Sequence, residues 1–151
     1  MQKQKIAIAS DHGGFEMKEC LADFLTEIGY EVTNLGTHNT QSVDYPDYAE
    51  AMAKWIVINN GCKGVLICGS GIGMSIAVNR HRPVRAALCH DGLTASLSRQ
   101  HNDANVLCLG ARIIGIETAK DCVKKFITTE FEGGRHSARV EKLSMYVKRK
   151  Q

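Results

Sequence analysis

A cysteine and three alternating glycines within residues 65–75 form the part of the sequence best suited to chemistry. The stretch opens with three apolar residues, a run typical of a strand buried on both faces in a parallel sheet. Cys68 ends this strand, and Gly69, Gly71 and Gly73 follow before a predicted helix. A bare backbone loop that opens onto a helix N-terminus can bind an anion through its unpaired N–H groups and the helix dipole. The same potential favours the thiolate of Cys68, which is the form that acts as a base or nucleophile.

Further polar side chains follow the ends of other predicted strands. Asp11 and His12 come after the first strand, and His90 and Asp91 come after the fourth. In open α/β sheets, ligands bind beyond the carboxyl ends of the strands, near the point where strand order reverses. We therefore expect all of these residues on one rim of the sheet. Since the first and third strands are neighbours in the commonest order, Asp11, His12 and Cys68 are predicted to converge on one small molecule.

Three basic residues near the end of the chain have two interpretations each. His101 lies between a predicted helix end and the fifth strand, where a histidine is commonly a solvated or capping residue. Arg135 and Arg139 are four positions apart and share one face of the last predicted helix. Such a pair is either part of a solvated basic helix or a bidentate clamp for phosphate. The residues alone leave both interpretations open.

The glycine spacing matches a dinucleotide-binding fingerprint only in part. That fingerprint, G-x-G-x-x-G, follows the first strand of its fold. Here the third glycine comes one residue earlier and the loop follows the third strand. Asp91 lies about 20 residues further on, where such proteins place a ribose-binding acid, but it belongs to a His-Asp-Gly turn. The absence of a G-K-[ST] sequence excludes a P-loop, and the pattern argues against a dinucleotide cofactor.

Strand and helix patterns alternate along the whole chain. Strands are predicted at residues 6–9, 31–35, 65–68, 86–89 and 106–109, and helices at residues 17–28, 48–59, 74–80, 92–99, 117–128 and 135–150. This alternation predicts a three-layer, Rossmann-like (flavodoxin-like) α/β fold, with a five-stranded parallel sheet, helices on both faces and a C-terminal helix. No linker or repeat divides the sequence, so residues 1–151 are predicted to form a single domain.

Composition and charge narrow the functional class. The 151 residues carry a net charge of +3, too small to indicate nucleic acid as a partner. No apolar run approaches the roughly 18 residues of a membrane span, and the N-terminus lacks a signal-peptide core, so we expect a cytoplasmic protein without a membrane partner. The six cysteines show no C-x-x-C spacing, and we expect them to be reduced and, apart from Cys68, buried. No ligand cluster indicates a metal, and no cofactor is expected.

Six short motifs, in order along essentially the whole chain, resemble those of ribose-5-phosphate isomerase type B. They are Asp11-His12-Gly13, Asp44-Tyr45-Pro46, Cys68-Gly69-Ser70-Gly71-Ile72-Gly73, Ser98-Arg99-Gln100-His101-Asn102, Gly110-Ala111-Arg112, and Gly133-Gly134-Arg135-His136 with Arg139. The resemblance implies interconversion of ribose-5-phosphate and ribulose-5-phosphate through a cis-enediolate, without a metal. Some members of the family isomerise allose-6-phosphate or galactose-6-phosphate instead.

The resemblance also implies a role for each matching residue. Cys68 is the base that moves a proton between C2 and C1, and the N–H groups of the glycine loop hold the enediolate oxygen with Ser70. His101 assists opening of the furanose ring. The residues implied in binding the sugar are Asp11, His12, Tyr45, Gly69, Gly71, Ile72, Gly73 and Asn102, and those implied in binding the phosphate are His12, Arg112, Arg135 and Arg139. One branch of the family has a glutamate base where this chain has Met74.

The same resemblance implies shared active sites in a homodimer, or in a homotetramer of two dimers. A different class of function remains open from the residues: a non-catalytic module that binds a phosphorylated metabolite on the same fold. Cys68 separates the two hypotheses, because a binding module has no use for a thiol at the end of the strand.

Overall fold

Five parallel strands form one sheet in the computed structural model, which describes residues 2–149 and the side chains of residues 2–145. The strands are β1 (Lys5–Ser10), β2 (Glu31–Asn34), β3 (Lys63–Cys68), β4 (Ala86–Leu88) and β5 (Val106–Gly110). The helices are α1 (Phe15–Glu27), α2 (Tyr45–Ile58), α3 (Ile72–Val78), α4 (Gly92–Asn102), α5 (Ile116–Thr128) and α6 (Arg135–Arg149), and a 3-10 turn spans His12–Gly14. The predicted fold class is confirmed. The predicted end of the last helix, Lys150, lies outside the described residues.

Side chains that alternate along the central strands build a separate core on each face of the sheet. Ile6 and Ile8 of β1 point to one core, where α1, α4 and α5 pack, and Ala7 and Ala9 point to the other, where α2 and α3 pack. β3 and β5 alternate in the same way. Both faces of these strands are therefore covered, which explains their continuous apolar sequences.

The strand order is β2-β1-β3-β5-β4. β1 and β3 are neighbours, as predicted, and β5 rather than β4 lies on the other side of β3. As a result, the residues that follow β5 border the glycine loop. His90 and Asp91 follow the edge strand β4, about 10 Å from β3 across two strand spacings, and Asp91 caps α4 by accepting a hydrogen bond from the Thr94 N–H (2.7 Å).

Three helix boundaries differ from the prediction at functional positions. α3 begins at Ile72, two residues early, so Ile72 and Gly73 belong to its first turn. α2 begins at Tyr45, three residues early, because Pro46 fits the first turn of a helix, where no N–H is needed. α4 continues to Asn102, and Asp103, with a left-handed φ of 47°, ends it. The predicted loop position of His101 is therefore wrong: His101 and Asn102 form the last turn of a helix.

None of the helices within residues 2–149 combines the length and the apolar character that a membrane span requires.

Candidate active site

The glycine loop folds back over the thiol of Cys68. The side chain ends β3 and is 5% exposed, and its Sγ accepts a hydrogen bond from the Gly71 N–H at 3.2 Å. Gly71 has a φ of +79°, and a Cβ atom there would lie 2.9 Å from the carbonyl carbon of Leu109. Only glycine fits this position, because the conformation is left-handed and the backbone of β5 passes directly beside it.

Several N–H groups of the loop have no hydrogen-bond acceptor among the described residues. Within the described residues, the N–H groups of Gly69, Ser70 and Gly73 donate to no protein acceptor. The Ser70 hydroxyl accepts a hydrogen bond from the Ile72 N–H at 3.2 Å. Unpaired amides beside a thiol are what an oxyanion formed next to that thiol needs.

Arg112 reaches the loop from the neighbouring strand. Its N–H donates to the Gly69 carbonyl at 2.9 Å, and the Ala111 N–H donates to the Cys68 carbonyl at 2.9 Å. The guanidinium carbon lies 3.6 Å from the place where a Cβ on Gly69 would stand. The strand order, with β5 beside β3, is what brings this cation to the loop.

Asp11 and His12 border the loop from the side of β1. Asp11 is 8% exposed, and its Oδ1 accepts a hydrogen bond from the Gly14 N–H at 3.2 Å. His12 Nδ1 accepts a hydrogen bond from the Val43 N–H at 3.1 Å. In the neutral ring the proton is therefore on Nε2, which leaves that atom as a donor.

An open cleft of about 580 Å³ lies at this loop, and the predicted site residues His12 and Gly71 are not part of its lining. It is lined by Asp11, Tyr45, Cys68, Gly69, Ser70, Ile72, Gly73, Ile76, Arg112 and Ile113. Eight of these ten were predicted as site residues from the sequence. Tyr45 forms one wall, and its ring packs so closely on Gly73 that a Cβ there would lie 2.6 Å from Cζ. Met74 is fully buried in the same core as Cys68 and offers no ionisable group, so it cannot act as a base. The thiol in this lining comes from Cys68.

The other cysteines form no disulfides, and three of them, Cys89, Cys108 and Cys122, are buried. Burial raises the pKa of Cys122 to about 12 and raises the pKa of Cys108 and Cys89 as well, so these thiols stay protonated. The prediction that they are buried is wrong for Cys20, which is exposed on α1, and Cys62 is half-buried.

His101 and Asn102 lie at the amino edge of the sheet, where the strands begin, whereas the cleft lies at the edge where the strands end. α4 starts beyond the carboxyl end of β4 and returns toward the amino end of β5, so its last turn is at the amino edge. A helix of this length spans about 16 Å. Within one copy of the chain, these two residues do not join Cys68.

Arg135 and Arg139 are at that same edge. The Glu132 N–H donates to the Gln100 carbonyl at 3.1 Å, which holds the start of α6 against the last turns of α4. Both arginines are exposed. Four of the predicted site residues thus form a second group, separate from the cleft.

Three side chains lie close together beside this second group. The spacing of residues in the sequence did not indicate this cluster. The rings of His101 and His136 are stacked with their centroids 4.5 Å apart, and Glu132 faces both. The sequence motif included His136 without a role, and no pattern pointed to Glu132. One potential ligand atom from each of the three side chains lies within 4.8 Å of the other two, a grouping that could hold a metal ion.

The fold is that of an α/β protein with a cleft beside a thiol, at the point where the order of a parallel sheet reverses and where such folds bind small molecules. The chain belongs to the Ribose/Galactose Isomerase family, whose model matches residues 6–143. It is 42% identical to ribose-5-phosphate isomerase B of Escherichia coli over 147 residues, which cover 97% of this chain and 99% of that protein. It is 39% identical to D-erythrulose-4-phosphate isomerase of Pectobacterium atrosepticum over 142 residues, which cover 93% of each.

A solved structure of ribose-5-phosphate isomerase B from Clostridium thermocellum has the same fold. The TM-score is 0.95 at 45% sequence identity, and the match covers 98% of this chain and 100% of that one. The resemblance drawn from the six motifs is confirmed, and the chain is a sugar-phosphate isomerase of this type.

Proposed function

We propose that this enzyme interconverts ribose-5-phosphate and ribulose-5-phosphate, with Cys68 as the base and without a metal. The observation that carries the proposal is the Cys68 thiol at the floor of a cleft, beside three N–H groups with no acceptor among the described residues. The names of the E. coli and C. thermocellum relatives support the choice of substrate.

The chemistry begins with opening of the furanose ring. His101 gives a proton to the ring oxygen as its bond to C1 breaks, and the anomeric hydroxyl loses its proton as the C1 carbonyl forms. Asp11 is placed in the cleft to accept that proton or to polarise the hydroxyl. Asn102 helps to fix the sugar hydroxyls. The open-chain aldose that results has the acidic C2–H bond on which isomerisation depends.

Cys68 then carries the proton between carbons. Its thiolate removes the proton from C2, the electron pair of that bond forms a C1–C2 double bond, and O1 becomes an oxyanion. The N–H groups of Gly69, Ser70 and Gly73 hold this oxygen, an effect that is commonly the largest in such catalysis. After a proton passes from O2 to O1, return of the proton from sulfur to C1 restores a carbonyl at C2 and gives the ketose.

The phosphate is bound by residues from both groups. The Arg112 guanidinium lines the cleft and provides donors there, and His12, which follows β1 outside this lining, provides Nε2 as a further donor. Arg135 and Arg139 are at the far edge of the same chain, so in this proposal they come from a second copy, together with His101 and Asn102. The complete site is therefore formed by a homodimer, and two dimers can pair into a homotetramer.

Exposed apolar residues around the cleft support an assembly of this kind. Ile72 and Ile76 on α3 are each 53% exposed, and Ile113 after β5 is 57% exposed. All three line the cleft, where a second copy would cover them. Large exposed apolar side chains grouped in one place are typical of protein interfaces.

The direct test is formation of ketose phosphate from ribose-5-phosphate after treatment with a metal chelator. The wild-type protein is expected to turn over, and Cys68→Ser is expected to lose at least about 100-fold in kcat, since general base catalysis typically contributes that much or more. Cys20→Ala, which changes an exposed cysteine far from the cleft, serves as the matched control and should keep full activity. Equal activity in wild type and Cys68→Ser would remove Cys68 as the base, and binding without turnover by the wild type would favour the non-catalytic module.

The second candidate function is isomerisation of a different sugar phosphate. The cleft is open, so a substrate of another length is worth testing. The family is named for ribose and galactose isomerases, and the Pectobacterium relative is named for a four-carbon substrate. Allose-6-phosphate, galactose-6-phosphate and D-erythrulose-4-phosphate assayed alongside ribose-5-phosphate give a ranking of kcat/KM. A higher value for any of them than for ribose-5-phosphate would reassign the substrate while keeping the chemistry.

A further inference from the structure

The two histidines at the amino edge of the sheet form a stacked pair. The ring planes of His101 and His136 differ by 15°, with the centroids 4.5 Å apart. The side chain of His101 is 41% exposed, whereas that of His136 is 11% exposed. The buried ring of His136 is therefore a fixed surface against which the more exposed ring of His101 lies.

One carboxylate oxygen faces both rings. Glu132 Oε1 is 3.9 Å from His101 Nε2 and 3.7 Å from His136 Nε2. These distances are too long for hydrogen bonds but suit an ion pair with a protonated ring. The two rings are nearly parallel and close together, a geometry that fits stacking.

The backbone holds this group in place. Gly133 and Gly134 have φ values of +67° and +54°, so the chain turns sharply between Glu132 and α6. The Glu132 N–H is bonded to Gln100 of α4, and the His136 N–H donates to the Gly133 carbonyl at 3.0 Å. The carboxylate and the buried ring consequently stay beside the last turn of α4.

The charges around the pair favour a neutral His136. Burial lowers the pKa of His136 first, the positive charge of His101 and Arg135 lowers it further, and Arg139 adds to this while Glu132 opposes it. A histidine with a lowered pKa is neutral above that pKa, so at neutral pH His136 presents an uncharged ring. A neutral aromatic face can stack on an imidazolium, whereas two charged rings would repel each other.

The charged groups of α4 near this turn are already paired. Arg99 donates to Asp103 Oδ1 at 2.9 Å, and Arg85 donates to Asp103 Oδ2 at 3.3 Å, so Asp103 is engaged by two arginines. Glu132 is the acid that faces both rings.

We propose that His136 and Glu132 are positioning residues for His101: the ring of His136 fixes the plane of the imidazole, and the carboxylate of Glu132, which faces Nε2 of both rings, holds them in register. This inference rests on the proposed role of His101 as the proton donor in ring opening. An exposed histidine without such support samples several rotamers, and only some of them direct a proton to the ring oxygen.

NMR of the His101 ring tests the arrangement without reference to any substrate, with His101→Gln used to assign the signals. Glu132→Gln is expected to reduce the ring-current shift that the His136 ring imposes on the His101 signals, because the carboxylate oxygen near both Nε2 atoms holds the two rings in register. His136→Ala is expected to remove the ring-current shift of the His101 signals. His136→Phe keeps a flat ring in the same place and should preserve that shift. Glu132 is exposed, so its variant folds even if a change at His136 does not.

Kinetics of ribose-5-phosphate isomerisation test the consequence. His136→Ala is expected to lower kcat about ten-fold with little change in KM, and His136→Phe is expected to recover most of that loss. Glu132→Gln should also lower kcat with little change in KM. An unchanged ring-current shift in Glu132→Gln, or equal kcat values in His136→Ala and His136→Phe, would overturn the proposal. If the wild type does not isomerise ribose-5-phosphate, the proposed function fails, while the NMR measurement still decides whether the two residues hold His101.

Discussion

At the scale of single residues, the cleft combines a thiol and free amides from the end of one strand with one cation from the end of its neighbour. Cys68, the N–H groups of the loop and Arg112 all come to one place because β3 and β5 are adjacent. Of the cationic residues predicted to bind phosphate, Arg112 is the one whose side chain lines this cleft. Its contribution can therefore be measured apart from that of the second group.

Arg112→Ala is expected to weaken binding of the sugar phosphate far more than it slows chemistry. Loss of a charge-assisted hydrogen bond costs about 1.5–3 kcal/mol, which corresponds to a rise in KM of about 10- to 100-fold. Arg80→Ala is the matched control, because Arg80 is an exposed arginine just beyond α3 that lines a different hollow. Steady-state kinetics with ribose-5-phosphate measure both, and an unchanged KM in Arg112→Ala would remove Arg112 from the phosphate site.

The sequence predicted the residues of the cleft better than those that support them. Cys68 and the glycines have a local signal, because a buried strand, a bare loop and a helix follow one another within a few residues. Glu132 and His136 have none, since their partner His101 is about thirty positions away and the contact depends on how α4 and α6 pack. The donor from Val43 that fixes the His12 ring was missed for the same reason.

At the scale of elements, the turn from β3 into α3 depends on glycine in two ways. Gly71 has a left-handed backbone, and a side chain there would also meet the backbone of β5. The strain of a side chain on a left-handed backbone arises at any glycine with such a φ. The clash with the backbone of β5 is particular to Gly71.

Gly71→Ala is compared with Gly61→Ala to separate these costs. Gly61 has a similar φ of +89°, and a Cβ there would meet nothing within 4 Å. Gly71→Ala is expected to lower the free energy of unfolding by about 1–3 kcal/mol more than Gly61→Ala, the usual range for overpacking. Urea denaturation of both variants measures the difference. Equal losses of stability would show that the loop can shift away from β5.

The existence of every strand and helix followed from the sequence, but some boundaries did not. Hydrophobic periodicity fades at helix ends, where exposed polar residues occupy the last turn. α4 was predicted to stop at Arg99, and its true end at Asn102 is set by the left-handed Asp103. This small difference decides that His101 is held on a rigid helix.

At the scale of the whole molecule, the strand order decides which residues can meet. Alternating strands and helices predict a parallel sheet, but a sequence does not show whether β4 or β5 packs beside β3. The observed order brings Arg112 to the glycine loop and leaves His101, Asn102, Arg135 and Arg139 at the opposite edge. A catalytic site that uses both groups must therefore be shared between copies.

Mixing two inactive variants tests this shared site most directly. Cys68→Ser and His101→Ala are each expected to be nearly inactive in isomerisation of ribose-5-phosphate. When equal amounts exchange subunits, half of the dimers are hybrids, and each hybrid has one intact site of two, so activity should recover to about a quarter of the wild-type value. As a control, the double variant mixed with an equal amount of wild type should also give about a quarter, because no hybrid then has an intact site. A mixture of the single variants that stays as inactive as its components after exchange would contradict a site formed by Cys68 of one copy and His101 of the other.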